Sequence, residues 1–309
     1  MKTKTLLILG SDGFLGSNLK SLIQKENKYE ILEVKNSVDL NLLHYKDLLM
    51  KFKDIKIDYI INCAAFVGGV SYGYKYQARL LEENTQLAIN ICKFANEKNV
   101  ENLVNPISNC VYPENVTEYK EEDLFSGKPH ESVMYYAYSK RFLINLCESY
   151  FKQFELNSAN VIMSNMFGPN DHFEENRSHA LGALIKKVCD AKLNKNTSIE
   201  VWGDGTQVRE WLYVEDGAKA LINALDLKGF NYFNVGVNKG ISINELVEEI
   251  QNAINYEVSI DYNLTKPAGV SKKTLNGSNG SQILKWEPEW SLSKGINETT
   301  KWYLESNYG

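Results

Sequence analysis

The sequence predicts an α/β protein, a doubly wound parallel sheet with a smaller C-terminal lobe, and three observations carry that reading. The short apolar run Thr5–Leu9 ends at Gly10, as a strand covered on both faces would. A glycine loop, Gly10-Ser11-Asp12-Gly13-Phe14-Leu15-Gly16, follows and leads into a helical stretch from about Ser17 to Gln24. Beyond it, short apolar segments alternate with helical ones, the pattern of a sheet whose ligands sit at the carboxyl ends of its strands. In order, Tyr29–Val34 reads as strand two, Asp58–Cys63 as a later strand, about Tyr76–Lys98 as a helix and Leu103–Ser108 as another strand. A helix carrying Tyr136 and Lys140 runs to about Lys152, and Asn160–Met163 is the next strand. After Gly168-Pro169 the pattern is less regular, with a helix near Ala180–Leu193 and a strand at Ile199–Trp202. Ser242-Ile243-Asn244-Glu245 is a capping box that opens a helix to about Ile254. A loop rich in Lys, Gly, Ser and Asn covers 265–281, and a last helix ends near Glu305. The expected division is a Rossmann-type dinucleotide-binding domain at 1–165, with returns from about 209–240, and a substrate lobe mainly at 166–309.

Composition sets bounds on function. The chain has 309 residues, 43% apolar and 24% charged, with a net charge of −5 and acids and bases interspersed. That is an ordinary soluble globular composition without a basic face for nucleic acid. The start, Met1-Lys2-Thr3-Lys4-Thr5 before Leu6-Leu7-Ile8-Leu9, imitates a signal peptide. Its apolar core is too short, and a glycine loop stands where a cleavage site would. No apolar run approaches membrane-spanning length, so a cytoplasmic protein without a membrane partner is expected. The five cysteines (63, 92, 110, 147, 189) contain no Cys-x-x-Cys, which fits reduced thiols rather than disulfides or zinc. The four histidines show no metal-ligand spacing, and no metal is expected.

The glycine loop lets the backbone turn tightly and approach a pyrophosphate, whose charge the following helix N-terminus favours. The end of strand two bears on which nicotinamide dinucleotide binds. An acid there would hold a ribose 2′-hydroxyl and repel a 2′-phosphate. The chain has Lys35-Asn36 instead, which favours NADP(H); a solvated surface lysine is the plainer alternative, Asp12 inside the loop opposes a 2′-phosphate, and NAD(H) stays open. Tyr136 stands four residues before Lys140, so the two share a helix face. A lysine ammonium beside a phenol is expected to lower the tyrosine pKa toward working pH, which suits proton exchange with a sugar oxygen. Ser108-Asn109-Cys110-Val111-Tyr112-Pro113 comes off a strand end, where Ser108 could bond the same oxygen. Read alone, Cys110 is a small core residue and His179 a helix-start surface residue as readily as either is a catalyst.

Together these motifs resemble the extended short-chain dehydrogenase/reductases that act on nucleotide sugars, and among them most the GDP-L-fucose synthase (GDP-4-keto-6-deoxy-mannose 3,5-epimerase-4-reductase) branch. The resemblance covers nearly the whole chain. Its further marks are Ala64-Ala65-Phe66-Val67-Gly68-Gly69, Gly168-Pro169-Asn170-Asp171-His172-Phe173, His179, Val201-Trp202-Gly203-Asp204-Gly205-Thr206 and Arg209-Glu210. It implies a reductase triad of Ser108, Tyr136 and Lys140 and an epimerase acid/base pair of Cys110 and His179. With the residue readings above it assigns Gly10, Asp12, Gly13, Phe14, Leu15, Gly16, Lys35, Asp39, Ala64, Ala65, Tyr136 and Lys140 to the cofactor. Val67, Asn109, Asn165, Lys187, Trp202 and Arg209 are assigned to a nucleotide-diphosphate sugar, implied to be GDP-linked. A homodimer through the helices near 76–98 and 132–152 is implied as well. The chain departs from the pattern at Asn109, at Lys186-Lys187 and Lys272 where arginines are usual, and at Lys266-Pro267-Ala268-Gly269, which lacks an Asp after Pro. The expected activity is NADPH-dependent epimerisation and reduction of a GDP-linked 4-keto-6-deoxy hexose or heptose. Reduction without epimerisation, a redox-neutral NAD-retaining epimerase or 4,6-dehydratase, and a non-catalytic dinucleotide-binding regulator are the alternatives.

Overall fold

Strands buried on both faces need apolar side chains on both, so their sequences run continuously apolar instead of alternating. The computed structural model, which describes residues 3–174, 178–266 and 270–308, shows this at the centre of the molecule. Leu6–Leu9 and Tyr59–Asn62 are buried residue by residue. The first half runs β1 (Lys4–Leu9), α1 (Phe14–Glu26), β2 (Tyr29–Val34), α2 (Tyr45–Lys51), β3 (Tyr59–Asn62), α3 (Val70–Lys75), α4 (Gln77–Glu97), β4 (Asn102–Ser108) and β5 (Glu118–Tyr119). Then come α5 (Met134–Phe154), β6 (Ser158–Met163), β7 (Asn165–Phe167), α6 (Ala180–Asn194), β8 (Ser198–Trp202), β9 (Val208–Tyr213) and α7 (Val214–Asn223). The chain ends with β10 (Phe230–Val235), β11 (Gly240–Ser242), α8 (Ile243–Ile254), β12 (Ser259–Asn263), β13 (Lys272–Leu275), α9 (Ser278–Leu284) and α10 (Leu292–Tyr308).

Six strands form one parallel sheet in the order β10-β6-β4-β3-β1-β2. Alternate residues face opposite sides. Leu7, Leu9 and Ile60 pack with Ile91 and Phe94 of α4 and Leu143 of α5, while Leu6, Ile8 and Ile61 pack with Leu19 of α1 and Leu221 of α7. This is the doubly wound arrangement expected. The chain order reverses at β1, which has β2 on one side and β3 on the other, and a crevice opens there at the strand ends.

A second core gathers Leu181, Ile185, Val188, Leu246, Ile250 and Ile296 under α6, α8 and α10. The capping box at Ser242 is formed: Glu245 N–H donates to Ser242 Oγ at 3.2 Å and Ser242 N–H to Glu245 Oε2 at 2.8 Å. The 265–281 segment is not the single loop expected. It contains β13, which pairs with both β9 and β5, and the start of α9. Lys-Lys-Thr-Leu buries only Thr274 and Leu275 fully, too little apolar surface to announce a strand. Pro267–Gly269, where the family pattern has an Asp after Pro, lies outside the described residues. Among the described residues no helix is long and apolar enough to cross a membrane.

One buried carboxylate joins the two cores. Glu210, on β9, is fully buried and accepts the backbone N–H groups of Val237 and Leu275, each at 2.6 Å, and of Asn238 at 3.3 Å. Burial pushes its pKa up, and these bonds pull it back down. Glu210→Gln turns an acceptor into an amide donor facing backbone donors. Leaving such groups unmatched costs roughly 1–3 kcal/mol. The unfolding free energy should fall by that amount, read as a lower urea midpoint with the slope unchanged.

Candidate active site

The glycine loop is a close backbone contact first and a phosphate cradle second. Gly10 adopts φ +78°, in the left-handed region, and a Cβ there would come 2.9 Å from Ala64 N at the end of β3. A Cβ on Gly16 would come 2.0 Å from Gly10 O. The N–H groups of Gly10 and Ser11 both bond Val34 O, at 2.7 and 3.1 Å, which ties the loop to the end of β2. Helix α1 begins at Phe14, within the loop and three residues before the expected Ser17. The first-turn N–H groups of a helix lack intrahelical acceptors, so those of Phe14, Leu15 and Gly16 sit where a pyrophosphate would need them. The loop fits a dinucleotide.

Beside it, Asp12 accepts a 2.6 Å bond from Asn36 Nδ2, and Asn36 Oδ1 accepts the N–H groups of Val38 and Asp39. Asp39 accepts from Lys51 Nζ at 2.8 Å and from Lys35 N–H at 3.0 Å, and these bonds hold its carboxyl below the usual range. The Lys35 side chain is exposed at this rim. The acid of strand two, Glu33, lies one pleat back and accepts from Ser11 Oγ and Lys20 Nζ.

Ser108 ends β4, and Cys110 follows in a single turn of 3₁₀ helix over Asn109–Val111. Cys110 N–H donates to Ser108 Oγ at 3.4 Å. Tyr136 is the third residue of α5, and the Lys140 ammonium stands 5.6 Å from the centre of its ring. The next residue, Arg141, ties this helix to the cysteine turn: its Nε donates to Val111 O at 2.7 Å and its Nη1 to Gly127 O at 2.8 Å. Thus Ser108, Cys110, Tyr136 and Lys140 form one cluster at the strand ends.

Burial dominates its electrostatics. It pushes the Tyr136 phenol well above its ordinary value, and the Cys110 thiolate nearby adds to the rise. It pushes the Lys140 ammonium down to about 8. The expected lowering of Tyr136 by Lys140 is therefore not found in the folded protein, because the lysine's own charge is costly in the same place. The Cys110 thiol is also pushed up by burial, against the Ser108 hydrogen bond and the charges of Lys273, Lys140 and Arg141.

The other candidates stand farther out. His179 is the N-cap residue of α6 and is exposed, and the protein around it together with His172 lowers its pKa. Among the described contacts it does not meet Cys110. Asn165 Nδ2 donates to Glu210 O at 3.0 Å, and Asn109 is buried. Val67 is 41% exposed beside Ala64 and Ala65. Lys187 Nζ donates to Glu200 O, and Trp202, half-exposed, donates to Glu200 Oε1 at 3.0 Å under Lys266. Arg209, on the same strand as Glu210, is depressed by burial.

With this geometry in view, the chain can be placed among known proteins. Residues 6–236 match the family model described as the NAD dependent epimerase/dehydratase family. The chain belongs to this family. Among curated relatives, GDP-L-fucose synthase 1 of Arabidopsis thaliana is 30% identical over 99% of this chain and 94% of its own. GDP-L-colitose synthase of Yersinia pseudotuberculosis is 30% identical over 97% of each. The solved GDP-L-fucose synthetase of Naegleria fowleri bound to NADP superposes with a TM-score of 0.88 at 26% identity, covering 99% of this chain and 95% of that one.

For an enzyme of this family, one residue of the cleft escaped the sequence reading. Lys273 on β13 registers with Arg209 on β9, and its pKa is lowered by burial and by Arg209 and raised by Cys110. The neighbouring Lys272, which the motif comparison singled out, is exposed. No sequence signal separated the two lysines; only the pleat of a strand that was not expected does. Lys140 carries its charge only below about pH 8. Reduction should therefore fall on the alkaline side of that value, read as kcat/KM against pH. The stability sign is opposite: between about 8 and the ordinary 10.5 the unfolded chain binds more protons, so Lys140's contribution to folding stability rises with pH. Lys140→Met should remove both trends.

Proposed function

We propose that the protein is an NADPH-dependent epimerase/reductase of a GDP-linked 4-keto-6-deoxy hexose or related heptose. The cluster of Ser108, Cys110, Tyr136 and Lys140 at the strand ends beside the glycine cradle carries the reading, and the names of the relatives support the GDP-sugar. The cradle Gly10–Gly16 would hold the pyrophosphate and Lys35 the 2′-phosphate; when bound, the cofactor supplies hydride to the ketone carbon. Tyr136 gives the proton to the ketone oxygen, Ser108 fixes that oxygen, and Lys140 holds the nicotinamide ribose. Arg209 and Lys273 face the diphosphate from two neighbouring strands, with Asn165, Lys187 and Trp202 around the nucleotide.

Epimerisation needs proton exchange at carbons next to the ketone, which the carbonyl acidifies. Cys110 acts as a base only once its own proton has left. Burial raises the Cys110 thiol, and the protein around His179 together with His172 lowers its pKa, so neither group is pushed toward its charged form. Each such group is worth roughly 10²–10⁴-fold. The raised Cys110 thiol favours a second reading, reduction without epimerisation, which needs only Ser108, Tyr136 and Lys140. The exposed Leu81 and Ile89 on α4 and Phe142 on α5 support a homodimer through these helices.

Incubation with GDP-4-keto-6-deoxy-mannose and NADPH in D₂O separates the two readings. Product with deuterium at the epimerised carbons is expected, and Cys110→Ser should slow that incorporation strongly while still reducing a ketone of final configuration. Product free of carbon-bound deuterium would leave a simple reductase. For the cofactor, NADPH should bind more tightly than NADH. Lys35→Ala should narrow the gap, most at low salt, where exposed charges are least screened. Equal affinities in the unmodified protein would contradict the role given to Lys35.

A further inference from the structure

Arg141 is only 8% exposed, yet its bonds among the described residues go to no carboxylate. Its Nε and Nη1 donate to the carbonyls of Val111 and Gly127, and Nη2 is buried without an acceptor among the described residues. The ring of Phe125 lies beside it, 5.8 Å from the guanidinium. Carbonyl dipoles and a ring face offset part of the cost of burying a charge, but an anion is what would compensate it. A lysine in such a place could shed its proton, whereas a guanidinium stays charged. The groups whose ionisation would answer that charge are Tyr138 and Cys110. A thiol ordinarily ionises at lower pH than a phenol. Cys110 also sits in the turn that Arg141 grips, one residue before Val111.

We propose that Arg141 is a positioning residue for Cys110: its guanidinium holds the turn that carries the thiol and supplies the fixed positive charge beside which the thiolate forms. The role rests on the reading of Cys110 as the base of epimerisation. The thiol is faced by Tyr136, Lys140 and Arg141 from α5, by Lys273 from β13, by Tyr119 from β5 and by Ser108. Of the three cations, Lys140 and Lys273 are depressed by burial, and they are given to the nicotinamide ribose and the diphosphate. A bound diphosphate would offset the charge of Lys273 at the thiol. Arg141 is given no ligand and does not titrate, so its charge acts on Cys110 alike in the empty and the filled cleft. The proton that leaves Cys110 goes to solvent, and Arg141 neither gains nor loses one.

Alkylation by iodoacetamide reads this charge, because the thiolate is the form that displaces iodide. Cys110 is half-buried, and peptide mass spectrometry follows it by position. Cys63 is an internal control: it too is half-buried, and of the three cations it feels only Lys140. Arg141→Gln removes the charge and keeps an amide donor for a carbonyl. In it Cys110 should react roughly threefold to tenfold more slowly near pH ~8, while Cys63 is unaltered. Deuterium incorporation in D₂O should fall by a similar factor relative to hydride transfer. Arg141→Lys, which keeps a cation, should restore most of the Cys110 rate. A merely structural tie has the opposite sign, since a loosened turn exposes the thiol and speeds its alkylation. Faster or unchanged alkylation of Cys110 in Arg141→Gln therefore overturns the proposal, as does equal slowing of both thiols. If Arg141→Gln does not fold, the ratio of Cys110 to Cys63 alkylation in Arg141→Lys decides. It should hold within about twofold, and a larger change in either direction overturns the proposal. If the unmodified protein epimerises no sugar, the reading of Cys110 as a base fails, while the alkylation profiles still report whether Arg141 acts on the thiol.

Discussion

The site rests on one steric constraint, the contact of α1 with the turn that precedes it. With hydrogen at Gly16 the helix approaches the Gly10 carbonyl more closely than any side chain would allow, and with hydrogen at Gly10 the same turn approaches the end of β3. These two contacts bring the N-terminus of α1 to the point where the strand order reverses, so that a helix end, rather than a side chain, faces the crevice. A basic residue in the loop could attract a phosphate, but it would not place several N–H groups at fixed positions. Larger residues here would move α1 off the sheet and spoil the packing of Leu19 and Ile23 as well as the phosphate site.

The remaining parts of the cleft come from distant segments, and buried polar ties set their positions. Arg141 bonds the carbonyl of Val111, so the helix bearing Tyr136 and Lys140 cannot slide relative to the turn bearing Cys110. Glu210 does the same for the other wall. By taking N–H groups from the exits of β10 and β13, it fixes the strand from which Arg209 projects and the neighbouring strand that carries Lys273. In each case the tie is adjacent in sequence to a residue that faces the cleft. On the strand the tie and the cleft residue point to opposite faces, and on the helix they are about 100° apart, so one residue anchors and its neighbour works.

What the sequence made legible follows from the same physics. β1, β3 and β4 are buried on both faces and read as apolar runs, and the glycine loop and the Tyr136/Lys140 spacing are local patterns that need no partner to be recognised. β9, β10 and β13 were obscure because their polar residues are used inside the fold. Glu210 satisfies backbone donors, Asn234 accepts from Tyr112 and donates to Tyr119 O, and Lys273 faces the cleft. Each looks like a surface residue until its partner is known. The electrostatic expectation failed for a related reason. Spacing alone places Lys140 beside Tyr136, but only the fold reveals how much water both have lost.

That loss of water gives the cleft a consistent bias. Burial raises the acids Tyr136 and Cys110 and lowers the bases Lys140, Lys273 and Arg209, so every group is pushed toward its neutral form. A cleft with several depressed cations, in which Glu114 is the one carboxylate among those causes, favours an anion. A diphosphate entering beside Arg209 and Lys273 would stabilise their charged forms and raise both pKa values, because opposite charges at close range favour ionisation. Reciprocity then requires the anion to bind better where protons are more available. The anion and these two cations thus stabilise each other, which ties the electrostatics of the cleft to its occupancy.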